Sequence, residues 1–155
     1  MRLRGLVPAV IAAILAASAA HAGSNPVYDS TCALCHQNGA VGLKGQFPRL
    51  AGRVDRMAAQ PDSRAYLIDT VLHGLAGKIE VDDAPIVGVM PSFASLSDAD
   101  LAGVLNYLIR LGASASKKVK MVTPAEIGAA RAGPQLSPTQ MAANRAALVS
   151  AGRIP

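Results

Sequence analysis

The chain has 155 residues, 51% of them hydrophobic, yet only three Tyr, two Phe and no Trp. That length holds one small domain with a core short of large side chains, which excludes a multidomain protein, a coiled coil and a largely disordered chain. Fifteen Lys and Arg against ten Asp and Glu give a net charge of +5, without the dense basic stripe of a nucleic-acid binder.

In chain order, Met1-Arg2-Leu3-Arg4 is followed by an uncharged Ala/Ile/Leu/Val run from Gly5 to Ala20, closing on Ala20-His21-Ala22. Only small side chains fit a signal peptidase at the first and last of those three positions. Residues 1–22 are therefore predicted to be an export leader, cut after Ala22. The run is short for the roughly 20 apolar residues of a membrane span, which disfavours an uncleaved anchor. The remainder, 23–155, is expected to be soluble in the periplasm with no stable membrane span.

A short helix is expected from about Pro26, with Val27 and Tyr28 on its buried side, running into Cys32-Ala33-Leu34-Cys35-His36. The motif uses both cysteines of the chain. Two thiols one helical turn apart can each bond to one of the two vinyl groups on a haem edge. His36 is then held beneath the porphyrin, where a ring nitrogen can bind iron. This is the C-x-x-C-H attachment sequence for one covalent haem c. A thioredoxin-like redox pair would need alternating strands and helices, and no convincing strand run is found. A zinc site from Cys32, Cys35, His36 and His73 would make two ligands sequence neighbours, against the usual spacing. A large flat apolar group also fills the centre that the composition leaves short of aromatics.

Gly39, Gly42 and Gly45 then make a turn-rich loop that lets backbone pass close to a porphyrin edge, and Phe47-Pro48-Arg49-Leu50-Ala51-Gly52 follows. Apolar residues at helical spacing from Tyr66 predict a helix ending near His73, with Gly74 and Gly77 as stop signals. The segment from Leu75 to Leu96 reads as a long irregular stretch, expected to wrap the open haem face. Within it lies Met90, in Gly88-Val89-Met90-Pro91-Ser92-Phe93. Pro91 disfavours helix at Met90, so its thioether can project from an extended loop as the second axial ligand of the iron. Met57 lies in a polar segment, and Met121 and Met141 lie beyond the last core helix. His73 is the rival ligand, although its place in a last helical turn suits a satisfied surface or core-edge group.

Ser97-Asp98-Ala99-Asp100 predicts a capped helix start at Ser97. Leu101, Val104, Leu105, Leu108 and Leu111 form one apolar stripe, and Gly112 supplies the stop. The stripe is expected to meet the first helix, with Tyr107 or Leu105 near Tyr28.

Residues from about Asn25 to Gly112 resemble a single-haem class I cytochrome c domain. The resemblance implies an all-α fold, short helices around one covalently bound haem, occupying 23–112. It implies thioether bonds at Cys32 and Cys35, ligation by His36 and Met90, and a Pro48 carbonyl that accepts the other ring N–H of His36. Gly74-Leu75-Ala76-Gly77-Lys78-Ile79-Glu80-Val81 through Phe93 is similar to bacterial cytochromes of the Gly-Leu-x-Gly-x-Ile-x-Val type, many of which serve exported dehydrogenases. Two departures stand out: Ile86, where such relatives often carry tyrosine, and Asp82-Asp83, where a Val-x-Gly turn is usual.

The tail, 113–155, holds a cluster of Lys117, Lys118 and Lys120 and two helix starts, Thr123-Pro124-Ala125-Glu126 and Ser137-Pro138-Thr139-Gln140. It is expected to be a solvated extension packed lightly on the domain, or else a docking element for a redox partner, with the lysines steering acidic surfaces. The implied function is non-enzymatic one-electron transfer between a periplasmic dehydrogenase donor and an oxidase or reductase acceptor. The alternative is a peroxidase-like haem enzyme or gas sensor in which Met90 is labile, against which stands the lack of a distal His or Arg in the 85–95 loop.

Overall fold

A computed structural model describes residues 24–112 and 119–155. The predicted leader, with its cut after Ala22, and the lysines at 117 and 118 lie outside those residues. The first helix begins at Pro26 and passes through a π-helical stretch, Tyr28–Cys32, into α1 (Ala33–His36). Insertions of this kind are frequent at functional sites. Here the wider turn stands immediately before the second cysteine and the histidine. After it come α2 (Val54–Ala58) and α3 (Pro61–His73), then α4 (Asp98–Arg110).

Tyr28 is fully buried, its hydroxyl donating to the Gln37 carbonyl at 2.8 Å. Its ring stands 4.9 Å from that of Tyr107 on α4 at 49°, so the first helix and α4 cross as the apolar stripe requires. Ser97 caps α4 by accepting from the Asp100 amide at 3.1 Å. Leu101, Val104, Leu105 and Leu108 are buried as expected, and so are Tyr107 and Ile109. The helix is thus covered on more than one side, and the second cover is the tail.

The expectation of an all-α fold needs correction, because Leu75–Met90 is not an irregular loop. It is an antiparallel hairpin of β1 (Leu75–Val81) and β2 (Ala84–Met90), in register from Leu75 opposite Met90 to Val81 opposite Ala84. The turn residues Asp82 and Asp83 have φ of 53° and 57°. Two successive left-handed residues give the two-residue hairpin turn whose twist matches that of the strands, and aspartate tolerates that conformation better than most side chains. Gly77, Gly88 and Pro85 interrupt the strand pattern, which is why the sequence reads as loop. Pro85 is tolerated because neither strand of a two-stranded sheet is central.

The tail also departs from expectation, since it is not lightly packed. Its two helices, α5 (Pro124–Arg131) and α6 (Pro138–Ser150), both open on complete capping boxes. Ile127 and Met141 are fully buried and Ile154 is nearly so. Asn106 on α4 pairs with both backbone groups of Val122 at 2.8 and 2.7 Å. Arg64 on α3 grips Glu126 at 2.9 Å, and Arg131 reaches Asp98 at 2.9 Å. α5 lies on α4, whereas α6 lies along β1 and α3.

Candidate haem-binding site

The first helix, α2, α3 and the hairpin enclose a largely apolar cavity of about 640 Å³, within the range of small-molecule and cofactor sites. Cys32, Cys35, His36, Pro48 and Met90 all line it. The cysteines are free thiols. Burial pushes the Cys32 thiol up from its ordinary pKa, with a smaller opposing pull from the Thr31 hydroxyl.

His36 is 7% exposed, and its Nδ1 lies 2.9 Å from the Pro48 carbonyl oxygen. A carbonyl only accepts, so Nδ1 carries the proton and the lone pair is left on Nε2. Burial pushes the imidazole's pKa down, with the Pro48 bond opposing it, which keeps the ring neutral and able to coordinate. The loop that delivers Pro48 is held by Gly42, whose φ is 67° and whose amide donates to the His36 carbonyl at 2.9 Å. A Cβ on Gly42 would stand 2.5 Å from the Arg49 nitrogen and 2.6 Å from the Phe47 carbonyl. Only glycine lets the chain cross itself this closely between histidine and proline.

Met90 ends β2, rather than projecting from a loop, and is partly buried. Its backbone is placed by α3. Phe93 donates from its amide to the Val71 carbonyl at 2.9 Å, and the Ser92 hydroxyl bonds the Leu72 carbonyl. Gly74, at φ 76° and ψ −174°, closes the corner, and a Cβ there would lie 2.5 Å from the Met90 carbonyl oxygen.

The rival ligands separate on this geometry. His73 is buried but does not line the cavity, and its Nε2 has no hydrogen-bond partner among the described residues. It is therefore not the satisfied group expected at a helix end. Met121 and Met141 are also off the cavity wall, but Met57 is on it, packed with Tyr66 and Leu75. Among the described residues no three His, Cys, Asp or Glu side chains converge as a metal cage.

The residues fit a haem. An accessible imidazole nitrogen and two free thiols one turn apart share one apolar cavity, and Leu34, Val87 and Val89 on its rim are 83%, 76% and 76% exposed. Apolar side chains so exposed beside a cavity mark a surface meant to be covered.

Sequence reasoning missed the three arginines of the wall, Arg49, Arg53 and Arg145. Arg49 holds both Asp82 oxygens at 2.8 Å and Arg53 holds one at 3.0 Å. The acidic turn that departs from the relatives' pattern is thus the anchor for two basic residues. Burial is the main influence on Arg53, pushing its pKa down. The sequence did carry a signal for Arg145. It falls on the same α6 face as Met141 and Leu148, at i+4 and i+7, where the bland expectation is an apolar residue.

Residues 19–108 match the family model described as cytochrome C oxidase, cbb3-type, subunit III. The chain is 44% identical over 117 residues to cytochrome c-552 of Thermus thermophilus, a match covering 74% of this chain and 88% of that protein. It is also 34% identical over 83 residues to the cytochrome c subunit of a quinone alcohol dehydrogenase from Gluconobacter oxydans, covering 53% of this chain but 16% of the relative. The corresponding subunit of Gluconacetobacter polyoxogenes matches to the same identity over 52% of this chain.

Proposed function

The chain belongs to the cytochrome c family as a single-haem member, and from that premise we propose that it is a one-electron carrier of the periplasm whose iron is held between His36 and Met90. When bound, the haem supplies a reversible one-electron change at its iron. Cys32 and Cys35 attach it by thioether bonds, and Pro48 fixes the imidazole plane and raises its basicity through the Nδ1 hydrogen bond. The observation that carries the reading is the meeting of His36, already oriented by Pro48, and Met90 on the wall of one apolar cavity.

With His36 and Met90 both holding the haem iron, dioxygen, peroxide and carbon monoxide would enter only by displacing one of those side chains. The neutral, soft thioether of Met90 raises the reduction potential, and the apolar wall adds to this by disfavouring the more charged ferric state. The protein thereby sets a potential and excludes small ligands, which suits a carrier more than a catalyst or a sensor. A periplasmic dehydrogenase is the proposed donor and a terminal oxidase or reductase the acceptor. The likeness to a dehydrogenase's cytochrome subunit supports the first. Export through the leader at 1–22 completes the proposal, and among the described residues no helix is long and apolar enough to cross a membrane.

The test is a visible absorption spectrum of the haem-matured protein in both oxidation states. A weak far-red band in the oxidised form, with no change on adding carbon monoxide to the reduced form, is expected. A missing band together with ready carbon monoxide binding would refute a firm Met90 ligand and move the search to catalysis or sensing.

A further inference from the structure

Arg53 and Arg145 line the cavity at 7% and 8% exposure. A guanidinium so deeply buried normally has an anionic partner. Among the side chains of the described residues, the three wall arginines are ion-paired with one carboxylate, that of Asp82, which serves Arg49 and Arg53. Arg145 bonds only the Glu80 carbonyl, at 3.1 Å, and so uses one of its five N–H groups. Arg53 is met by Asp82 and by the Pro155 carboxyl group, whereas Arg145 has no anion beside it among the described residues. Burial is the main cause that pushes the Arg53 pKa down; Asp82 opposes it, and the neighbouring Arg145 and Arg49 add to the fall.

The position of Arg145 in the chain is as telling as its burial. It lies on α6, well beyond the matched family segment at 19–108. Met141, one turn earlier on the same face, is fully buried and fastens the helix. Gly77 on β1 faces α6, where a Cβ would make an ordinary contact of 3.5 Å with that of Ala142. Arg53 in turn bonds an oxygen of the Pro155 carboxyl group. The two buried arginines of the wall thus also help to tie the tail down, beside the Arg64 and Arg131 contacts that fasten α5.

A haem c carries two propionate carboxylates, either of which would give the buried Arg145 guanidinium the anion it lacks. We propose that Arg145 binds a propionate carboxylate, making the C-terminal extension a strap that completes the cofactor site. The inference rests on the haem reading above. It assigns the tail to the cofactor instead of to a partner protein.

The experiment compares haem-loaded wild type with Arg145→Met, Arg145→Lys and Met141→Ala, reading the propionate bending band by resonance Raman and the rate of limited proteolysis in the tail. R145M is expected to shift the propionate band and to speed tail cleavage about tenfold, the scale of one charge-assisted hydrogen bond lost. R145K, which keeps the charge but not the planar fork, is expected to move the band measurably though less than R145M does, and to leave cleavage nearer to wild type. M141A loosens the strap without removing charge and serves as the control for tail mobility alone. If R145M speeds cleavage as M141A does but leaves the propionate band in place, Arg145 is only a brace for the Glu80 carbonyl and the proposal fails. If R145M does not accumulate with haem, R145K decides alone, because an unmoved band on replacing a planar fork by a point charge overturns the pairing. Failure of the haem reading is distinguishable, since wild type itself would then show no covalent haem spectrum.

Discussion

Replacing Gly74 by alanine tests whether the end of α3 positions Met90. At φ 76° and ψ −174° the residue occupies a region open in practice only to glycine, and holding alanine there costs about 1–3 kcal/mol. The added Cβ meets the Met90 carbonyl oxygen at 2.5 Å, and the Pro91 carbonyl carbon and Ser92 nitrogen at 3.0 Å. All three are backbone atoms, so no side chain can swing aside. The hairpin end must retreat from α3 by nearly an ångström, at a further cost of about 1–3 kcal/mol for overpacking. G74A is therefore expected to lose about 2–6 kcal/mol in urea denaturation and to weaken the far-red band in the oxidised spectrum. Lost stability with an undiminished band would show that the Met90 side chain is held independently of its backbone. Unchanged stability would refute the geometry itself.

Met90→Ala is expected to abolish the far-red band and to make the reduced protein bind carbon monoxide; retention of the band would transfer the ligand role to Met57, the other thioether on the wall. Met141→Ala, truncating a fully buried side chain, should cost about 2–5 kcal/mol in urea denaturation, and a loss below about 1 kcal/mol would mean that the tail is not part of the cooperative unit. Glu126 has its pKa lowered to about 2, first by the hydrogen bond from Arg64. The folded state therefore prefers the ionised form, and this contribution is complete above the ordinary value near 4.5 and is lost as pH falls towards 2. Glu126→Gln should flatten that part of the acid limb in a thermal melt against pH, and an unchanged limb would remove the Arg64 pair as a cause.

What was legible in the sequence was whatever depends on local spacing. Cys32, Cys35 and His36 form one contiguous motif, and Ser97, Thr123 and Ser137 announce their helices because capping needs only the next three residues. The meeting of the first helix with α4 was legible from the apolar stripe of α4, which offered Tyr107 or Leu105 as the neighbour of Tyr28, and Tyr107 fills that place. The hairpin was missed because its signal is not local. Its strands are edge strands broken by two glycines and a proline, and its Asp-Asp turn owes its composition partly to Arg49 and Arg53 far back in the chain. The wall arginines were missed for the same reason, as a buried cation looks like any surface cation until the fold supplies its surroundings. His73, read as a satisfied helix-end group, is buried with an unpartnered nitrogen, which depends on its tertiary neighbours.

These nonlocal features bear on one another. A two-stranded hairpin standing alone in water is marginally stable at best, yet this one carries Met90 at its last position, opposite Leu75. Its turn is pinned by Asp82 to the two arginines of the segment after Pro48, and β1 is covered by α6. Leu75 is buried in a second small core with Met57, Tyr66, Met141 and Ile154, two of which come from the tail. The hairpin that carries Met90 thus draws its packing from residues outside the matched family segment. In this chain the extension is structurally continuous with the cavity, and loosening α6 should therefore reach Met90 through β1 as well as through Arg145.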